Sequence, residues 1–332
     1  MTQATVVGLG NALMDALYIL DSDDFLSQES LNKGTMHGVS DAEWQAVYAK
    51  IDASKVDLKT GGSAANTIAT LGYLGASASY CGQVGDDAFG KQYAAQFDDA
   101  CGQHGIHTVA GTPTGKCLAL ISPDGERTML TDLGTAVNLE TVQHISASIQ
   151  QAKVLHLTGY LLLGEVTQAR MMEAISMAKA AGVKVSLEVA DPFVVALKRD
   201  EMLELIEKEV DIVFLNEEEA KSLYESTPQA AFDKLQSLVE TVVVKLGKDG
   251  SMAARNGETA CAGIYPANLI DTTGAGDSYA AGFLYGYVNG FSLEQSAQLA
   301  ARVASACVSQ LGAVVRDREL LAKAVAQTVA GE

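Results

Sequence analysis

Positive charge is scarce in this chain: 23 Lys and Arg stand against 41 Asp and Glu over 332 residues, a formal net charge of −18. That balance excludes the sequence-independent affinity for DNA or RNA that a basic face provides, so nucleic acid is not an expected partner. An acidic substrate must instead be met by a local cluster of donors. Cysteines are few, and the five present (Cys81, Cys101, Cys117, Cys261, Cys307) are odd in number and lack paired spacing, as expected of reduced thiols in a cytosol. Cys101, His104 and His107 lie close together, but three zinc ligands without a fourth do not complete a structural site. No apolar run reaches the ~18 residues of a membrane span, and the first residues lack a basic segment followed by a long apolar one. A soluble, cytoplasmic protein with no membrane partner is expected. Linkers, low-complexity segments and internal repeats are also missing. A dinucleotide fingerprint after the first strand would need glycine at position 13, where Leu13 stands.

What is present is a 48% hydrophobic composition, enough for a sizeable core in one large α/β domain with an insertion, or in two domains. After Asn138 strand-like and helix-like segments alternate regularly, with strands at 154–157, 183–187, 212–215 and 241–246. Such alternation predicts a parallel sheet with helices on both faces and ligands at the carboxyl ends of its strands. The earlier part differs. Segments 12–20 and 34–39, with a hairpin turning at Pro123-Asp124-Gly125, predict a small separate sheet able to act as a lid. The expected division is residues 1–11, 41–111 and 133–332 for the α/β core and residues 12–40 and 112–132 for the lid.

One stretch concentrates chemistry: Asp271-Thr-Thr-Gly-Ala-Gly-Asp277, between a strand-like run ending at Ile270 and a helix-like run through Val288. The first turn of a helix has free N–H groups and the positive end of the helix dipole. Gly274, Ala275 and Gly276 carry little or no side chain, so an anion could approach those donors. Asp277, in the same turn, could accept a proton from a hydroxyl beside that anion. A Gly-x-Gly-Asp string alone is more often a turn capped by Asp. Likewise Gly61-Gly62-Ser-Ala-Ala-Asn66 alone reads equally well as a glycine-rich helix start with no ligand.

The complete string resembles the C-terminal signature of the ribokinase-like, or PfkB, family of carbohydrate and nucleoside kinases, and the Gly61 to Asn66 box resembles its N-terminal signature. The resemblance implies a three-layer α/β/α core with a mostly parallel sheet and a small β-sheet lid. It also implies transfer of the γ-phosphoryl group of ATP to a primary hydroxyl, with Mg2+ and, beside the 271–273 loop, a monovalent cation such as K+. By that likeness Asp277 is the catalytic base, and Gly274, Ala275 and Gly276 form the anion hole. Arg127 on the lid hairpin meets the transferring phosphate. Gly61, Gly62 and Asn66 contact the acceptor, as do Asn11 and Asp15, which follow the family's nucleoside branch. Asn216 and Glu219 match an Asn-x-x-Glu motif that organises magnesium and phosphate through water. Lys245, Gly247, Gly250 and Thr272 line the nucleotide phosphates, and small residues near Ala304 and Cys307 let an adenine ring pack flat.

Gly8-x-Gly10-Asn11-x-x-x-Asp15, the long segment before Gly61 and Leu133-Gly134-Thr-Ala136 look more like adenosine kinases than ribokinases. Tyr160 is the aromatic placed to stack on a base. Met36 stands where adenosine enzymes carry a polar residue facing the base, which keeps a ribokinase- or fructokinase-type sugar kinase as the alternative. A third reading, a non-catalytic metabolite sensor, would have been favoured by loss of Asp277 or of the glycines beside it. Relatives are monomers or homodimers, and lid length does not choose between them.

Overall fold

The computed structural model describes residues 4–331, so residues 1–3 and 332 of the expected core lie outside the described residues. Among the described residues the larger sheet has eight strands. From one edge these are Glu258–Ala262, Ser251–Arg255, Thr241–Lys245, Ile212–Asn216, Lys184–Glu188, Val154–Thr158, Val6–Leu9 and Ala78–Cys81. The last six are parallel, and the first two add an antiparallel hairpin at the edge. Alternate residues of each strand point to opposite faces, and here they enter two separate apolar layers. Val6, Val154, Ile212, Phe214 and Val243 join the layer containing helices Ser63–Tyr73, Ala275–Val288 and Leu293–Val308. Val7, Leu155, Val213, Leu215 and Val244 join the layer of helices Glu165–Ala180, Pro192–Glu209 and Glu217–Tyr224. Such a double-sided burial needs near-continuous apolar strands, which is what these segments are.

Strand order reverses beside Val6–Leu9: one connection leads outward to Ala78–Cys81, and the rest runs the other way from Val154–Thr158. That is a topological switch point, where a crevice opens at the carboxyl ends of the strands. Gly8 permits close packing there, because a Cβ at this position would collide with the Ile68 side chain of the overlying helix.

The smaller sheet runs Met36–Gly38, Arg127–Asp132, Gly115–Ile121, Leu13–Ile19 and Asp57–Gly61. It contains more of the chain than the expected lid segments. Asp57–Gly61 pairs with Leu13–Ile19, and Trp44 of helix Asp41–Tyr48 is the centre of the apolar cluster beneath the sheet, although both lie within residues 41–111. The reason is burial: Ala16, Leu118, Leu120 and Leu130 need a cover, and Trp44, stacked on Tyr48 at 4.6 Å, supplies it. Lys116 is buried in the same layer, with its ammonium 2.7 Å from both Asp41 and Asp132. A second difference concerns residues 263–270, which form no strand; Ile264, Leu269 and Ile270 are exposed. No helix of the described residues is long and apolar enough to cross a membrane.

Candidate active site

Helix Ala275–Val288 begins where the glycine-rich loop ends, with Gly274 as its N-cap at φ +73°. A side chain at Gly274 would be strained in that conformation and would strike the Ala313 backbone. The loop is braced from behind by Asp271, which accepts from the backbone N–H groups of Thr273 and Gly312, each at 2.9 Å. Arg127 reaches across from the small sheet and donates to the same carboxylate. The Asp271 carboxyl titrates below its ordinary value: burial opposes this, but the two backbone donors and the Arg127 guanidinium outweigh it.

Asp277 lies in the first turn of this helix. Ser63 Oγ donates to its Oδ1 at 2.8 Å and Asn66 Nδ2 to its Oδ2 at 2.9 Å, while Thr67 Oγ1 donates to its backbone carbonyl at 3.2 Å. Two helix starts, more than two hundred residues apart in sequence, thus face one another and fix one carboxylate. Burial raises the Asp277 pKa, and the Asn66 and Ser63 hydrogen bonds and the Lys245 charge pull it partly back. A carboxylate so placed takes up a proton more readily than a solvated one. In this arrangement Asn66 holds Asp277 through one amide N–H, while its side-chain oxygen is buried without a partner; Ser63 shares the hold, although in the sequence it reads as an ordinary helix-start serine.

Asp15 approaches from the small sheet. Its carboxyl is pushed up to about 7, by burial first, with Arg127 lowering it and Asp277 raising it. It lies against Gly61, where any side chain would collide with the Asp15 carboxylate. Gly62, at φ +97°, lies against the Asn11 backbone carbonyl in the same way. Asn11 itself donates to the Ala136 carbonyl at 3.1 Å, and its side-chain oxygen is buried without a partner. Tyr160, in the turn Gly159–Leu163, directs its hydroxyl towards Asp191 at 3.4 Å. Met36 is on the outermost strand of the small sheet and 59% exposed.

On the other side of the glycine loop a cavity of about 820 Å³ is lined by Asn216, Lys245, Gly247, Gly250, Thr272 and Ala304, and by the 263–269 segment with Tyr265. Cys307 does not reach it. The thiol is buried beneath the loop, 3.3 Å from the Thr273 carbonyl and 3.6 Å from that of Ala313, and burial pushes its pKa up to about 11. Its position on the helix face one turn beyond Ala304 points it into the core instead.

Glu219 and Asn216 form a reciprocal helix cap. Glu219 receives the Asn216 backbone N–H at 2.8 Å and side-chain N–H at 2.6 Å, and its own N–H donates to Asn216 at 2.9 Å. Lys245 is ion-paired with Glu188 at the end of strand Lys184–Glu188, a residue that attracted no notice in the sequence because it belongs to no recognisable string. Burial pulls the Lys245 ammonium down, but Glu188, Glu219 and Asp277 together raise it. No group of three or more His, Cys, Asp or Glu able to hold a metal ion occurs among the described residues, so Cys101, His104 and His107 form no such site.

A family model described as pfkB family carbohydrate kinase matches residues 37–318. A 5-dehydro-2-deoxygluconokinase of Geobacillus thermodenitrificans is 32% identical over 267 residues, covering 75% of this chain and 78% of that protein. Among solved structures, a probable sugar kinase from Rhizobium etli superposes with a TM-score of 0.86 at 30% identity, covering 100% of this chain and 99% of that one. Adenosine kinase from Sinorhizobium meliloti does so with a TM-score of 0.84 at 33% identity, covering 98% and 99%. With the two glycine boxes, the three-layer fold and the small sheet in place, the match over most of its length means that this chain belongs to the pfkB family of carbohydrate kinases and is a phosphotransferase.

Proposed function

We propose that the protein transfers the γ-phosphoryl group of ATP to the primary hydroxyl of a nucleoside, adenosine before others. The observation that carries the nucleoside reading is the face of the small sheet turned towards the core. In-register partners share a face of a sheet, and Leu17, Ala119, Met129 and Met36 form one continuous row across it. This apolar row lies between the row carrying Asp15 and the row ending at Arg127. A ribose diol suits the Asp15 end. Leu17 and Ala119 are already buried, so a base meeting this row gains mainly at the exposed Met36 end, roughly 25 cal/mol for each Å² of apolar surface removed from water, a gain that a free sugar forgoes. The full-length likeness to an adenosine kinase supports the same acceptor.

In the reaction, Asp277 accepts the proton of the attacking hydroxyl while Asn66 and Ser63 hold its carboxylate in line. The N–H groups of Gly274 and Gly276 meet the charge on the transferred group, joined by that of Ala275 once it leaves the Thr272 carbonyl to which it donates at 3.2 Å, and closure of the small sheet, guided by Arg127, excludes water. ATP occupies the cavity beside Thr272 and Ala304. Magnesium, which neutralises phosphate charge when bound, suits this site only through water, because both Glu219 oxygens are already engaged by Asn216. A sugar kinase is the second reading, favoured by the 5-dehydro-2-deoxygluconokinase relative.

ADP release with magnesium-ATP, measured against adenosine, inosine, guanosine, cytidine, ribose, fructose and fructose 6-phosphate, tests the proposal. Turnover with adenosine and none with ribose is expected; turnover with a free sugar alone overturns it.

A further inference from the structure

Lys245 is the last residue of strand Thr241–Lys245, and its side chain reaches over the neighbouring strand to Glu188, two strands away. The pair is deeply buried, with side-chain exposures of 12% for Lys245 and 4% for Glu188. Two features set it apart from an ordinary buried ion pair. First, the ammonium lies directly under the glycine loop: a Cβ built on Gly276 would come within 2.9 Å of Lys245 Nζ. Second, Glu188 uses one oxygen only, and Glu188 Oε2 is buried with no hydrogen-bond partner. A buried pair retained purely for stability would be expected to satisfy both oxygens, since an unmatched one is costly. Lys245 also lines the 820 Å³ cavity with Asn216 and Gly276, so its charge borders the space assigned to the nucleotide.

We infer that Lys245 is a catalytic cation of phosphoryl transfer and that Glu188 is the residue that positions it. The inference deepens the transfer reaction proposed above and is independent of which acceptor is used. The acceptor oxygen bonds to the γ-phosphorus, the bond from that phosphorus to the β–γ bridging oxygen breaks, the hydroxyl proton passes to Asp277, and ADP departs. Lys245 keeps its protons and donates a hydrogen bond to a non-bridging oxygen of the group in transit. The anion hole therefore combines backbone donors on its helix side with a full positive charge on its sheet side. Glu188 keeps the flexible lysine side chain beneath Gly276 instead of letting it extend to Glu219 or Asp277, the other carboxylates that attract it.

The test compares the wild type with Lys245→Met, Glu188→Gln and the double variant, using the acceptor that the wild type turns over fastest. Thermal melts and calorimetric titration with ADP accompany the rates. If Lys245 only neutralised Glu188, removing both charges would restore activity together with stability. The expected result is a double variant that melts near the wild type and binds ADP within about threefold, yet has kcat lowered at least about a hundredfold, as for loss of one transition-state donor. Glu188→Gln alone should lower kcat about tenfold with the acceptor KM unchanged, and Glu188→Asp should recover part of that loss. A double variant with near-normal kcat overturns the inference. A wild type silent on every acceptor would fail the acceptor proposal and leave a separate measurement for this one: binding of ADP with aluminium fluoride. There Lys245→Met must lose the fluoroaluminate complex while retaining ADP, and equal binding of both overturns it.

Discussion

Strand Ile212–Asn216 of the large sheet and strand Leu13–Ile19 of the small one both alternate their side chains, but the alternation ends differently. Val213 and Leu215 enter one helical layer and Phe214 the other, so the large-sheet strand contributes chemistry only at its carboxyl end, through Asn216. Ala16 enters the Trp44 cluster, whereas Asp15 and Leu17 of the same strand belong to the opposite face. The large sheet is thus buried on both faces, and in the proposed reading its loops meet the nucleotide while the small sheet meets the acceptor. Across the cleft between them the Arg127–Asp271 pair joins the sheet to the glycine loop.

That contrast can be broken at several points. The largest effect belongs to the frame: Asp277→Ala should lower turnover by about 10²–10⁴ or more while largely sparing binding, read from kcat and acceptor affinity. Retention of most turnover would remove Asp277 as the base. Trp44→Ala removes the fully buried indole at the centre of the cluster beneath the small sheet and should cost about 3–5 kcal/mol in denaturant titrations, with amides of Leu13–Ile19 exchanging well before those of Ile212–Asn216. Uniform loss of protection across both sheets would mean that they unfold as one unit. Arg127→Ala, which unties the sheet from the loop, should reduce kcat by about ten- to a hundredfold and affinity less; an effect on affinity alone would deny it a part in the transfer. Met36→Asp, an interruption of the apolar row, should raise KM for a nucleoside by about tenfold at most and leave a free sugar unaffected.

The smallest effect is a pH dependence. The Asp15 carboxyl is raised from 3.8 to about 7 in the folded protein, so folding takes up a proton between those values and stability from this group falls as pH rises through that window. Glu188, raised chiefly by burial against the pull of Lys245, acts in the same direction. Asp15→Asn should therefore raise the melting temperature at pH 8 by more than at pH 4, at the expense of acceptor binding. Equal shifts at both pH values would show that folding does not raise the Asp15 pKa.

Much of the frame was legible because its signals are local. Apolar runs at 154–157, 183–187, 212–215 and 241–246 became central strands, and the 271–277 box opens a helix as its glycines suggest. The strand expected before that box is absent, since residues 263–270 place their apolar side chains at the cavity and surface, not in a ladder. Cys307 looked available to an adenine ring and turned inward. Asn66, read as an acceptor contact, also donates to Asp277. In each case residue type was readable, but its partner was distant in the chain.

Composition and periodicity were sufficient for a parallel sheet with helices on both faces, and the resemblance of two short glycine boxes to the pfkB family implied the reaction class, because each signal lies within a few residues of chain. The tertiary structure alone brought Ser63 and Asn66 to Asp277, Arg127 to Asp271, and Glu188 to a lysine beneath Gly276. Those pairings depend on strand order and on which faces are buried, and side-chain charge and hydrogen-bonding capacity carry no information about distance along the chain.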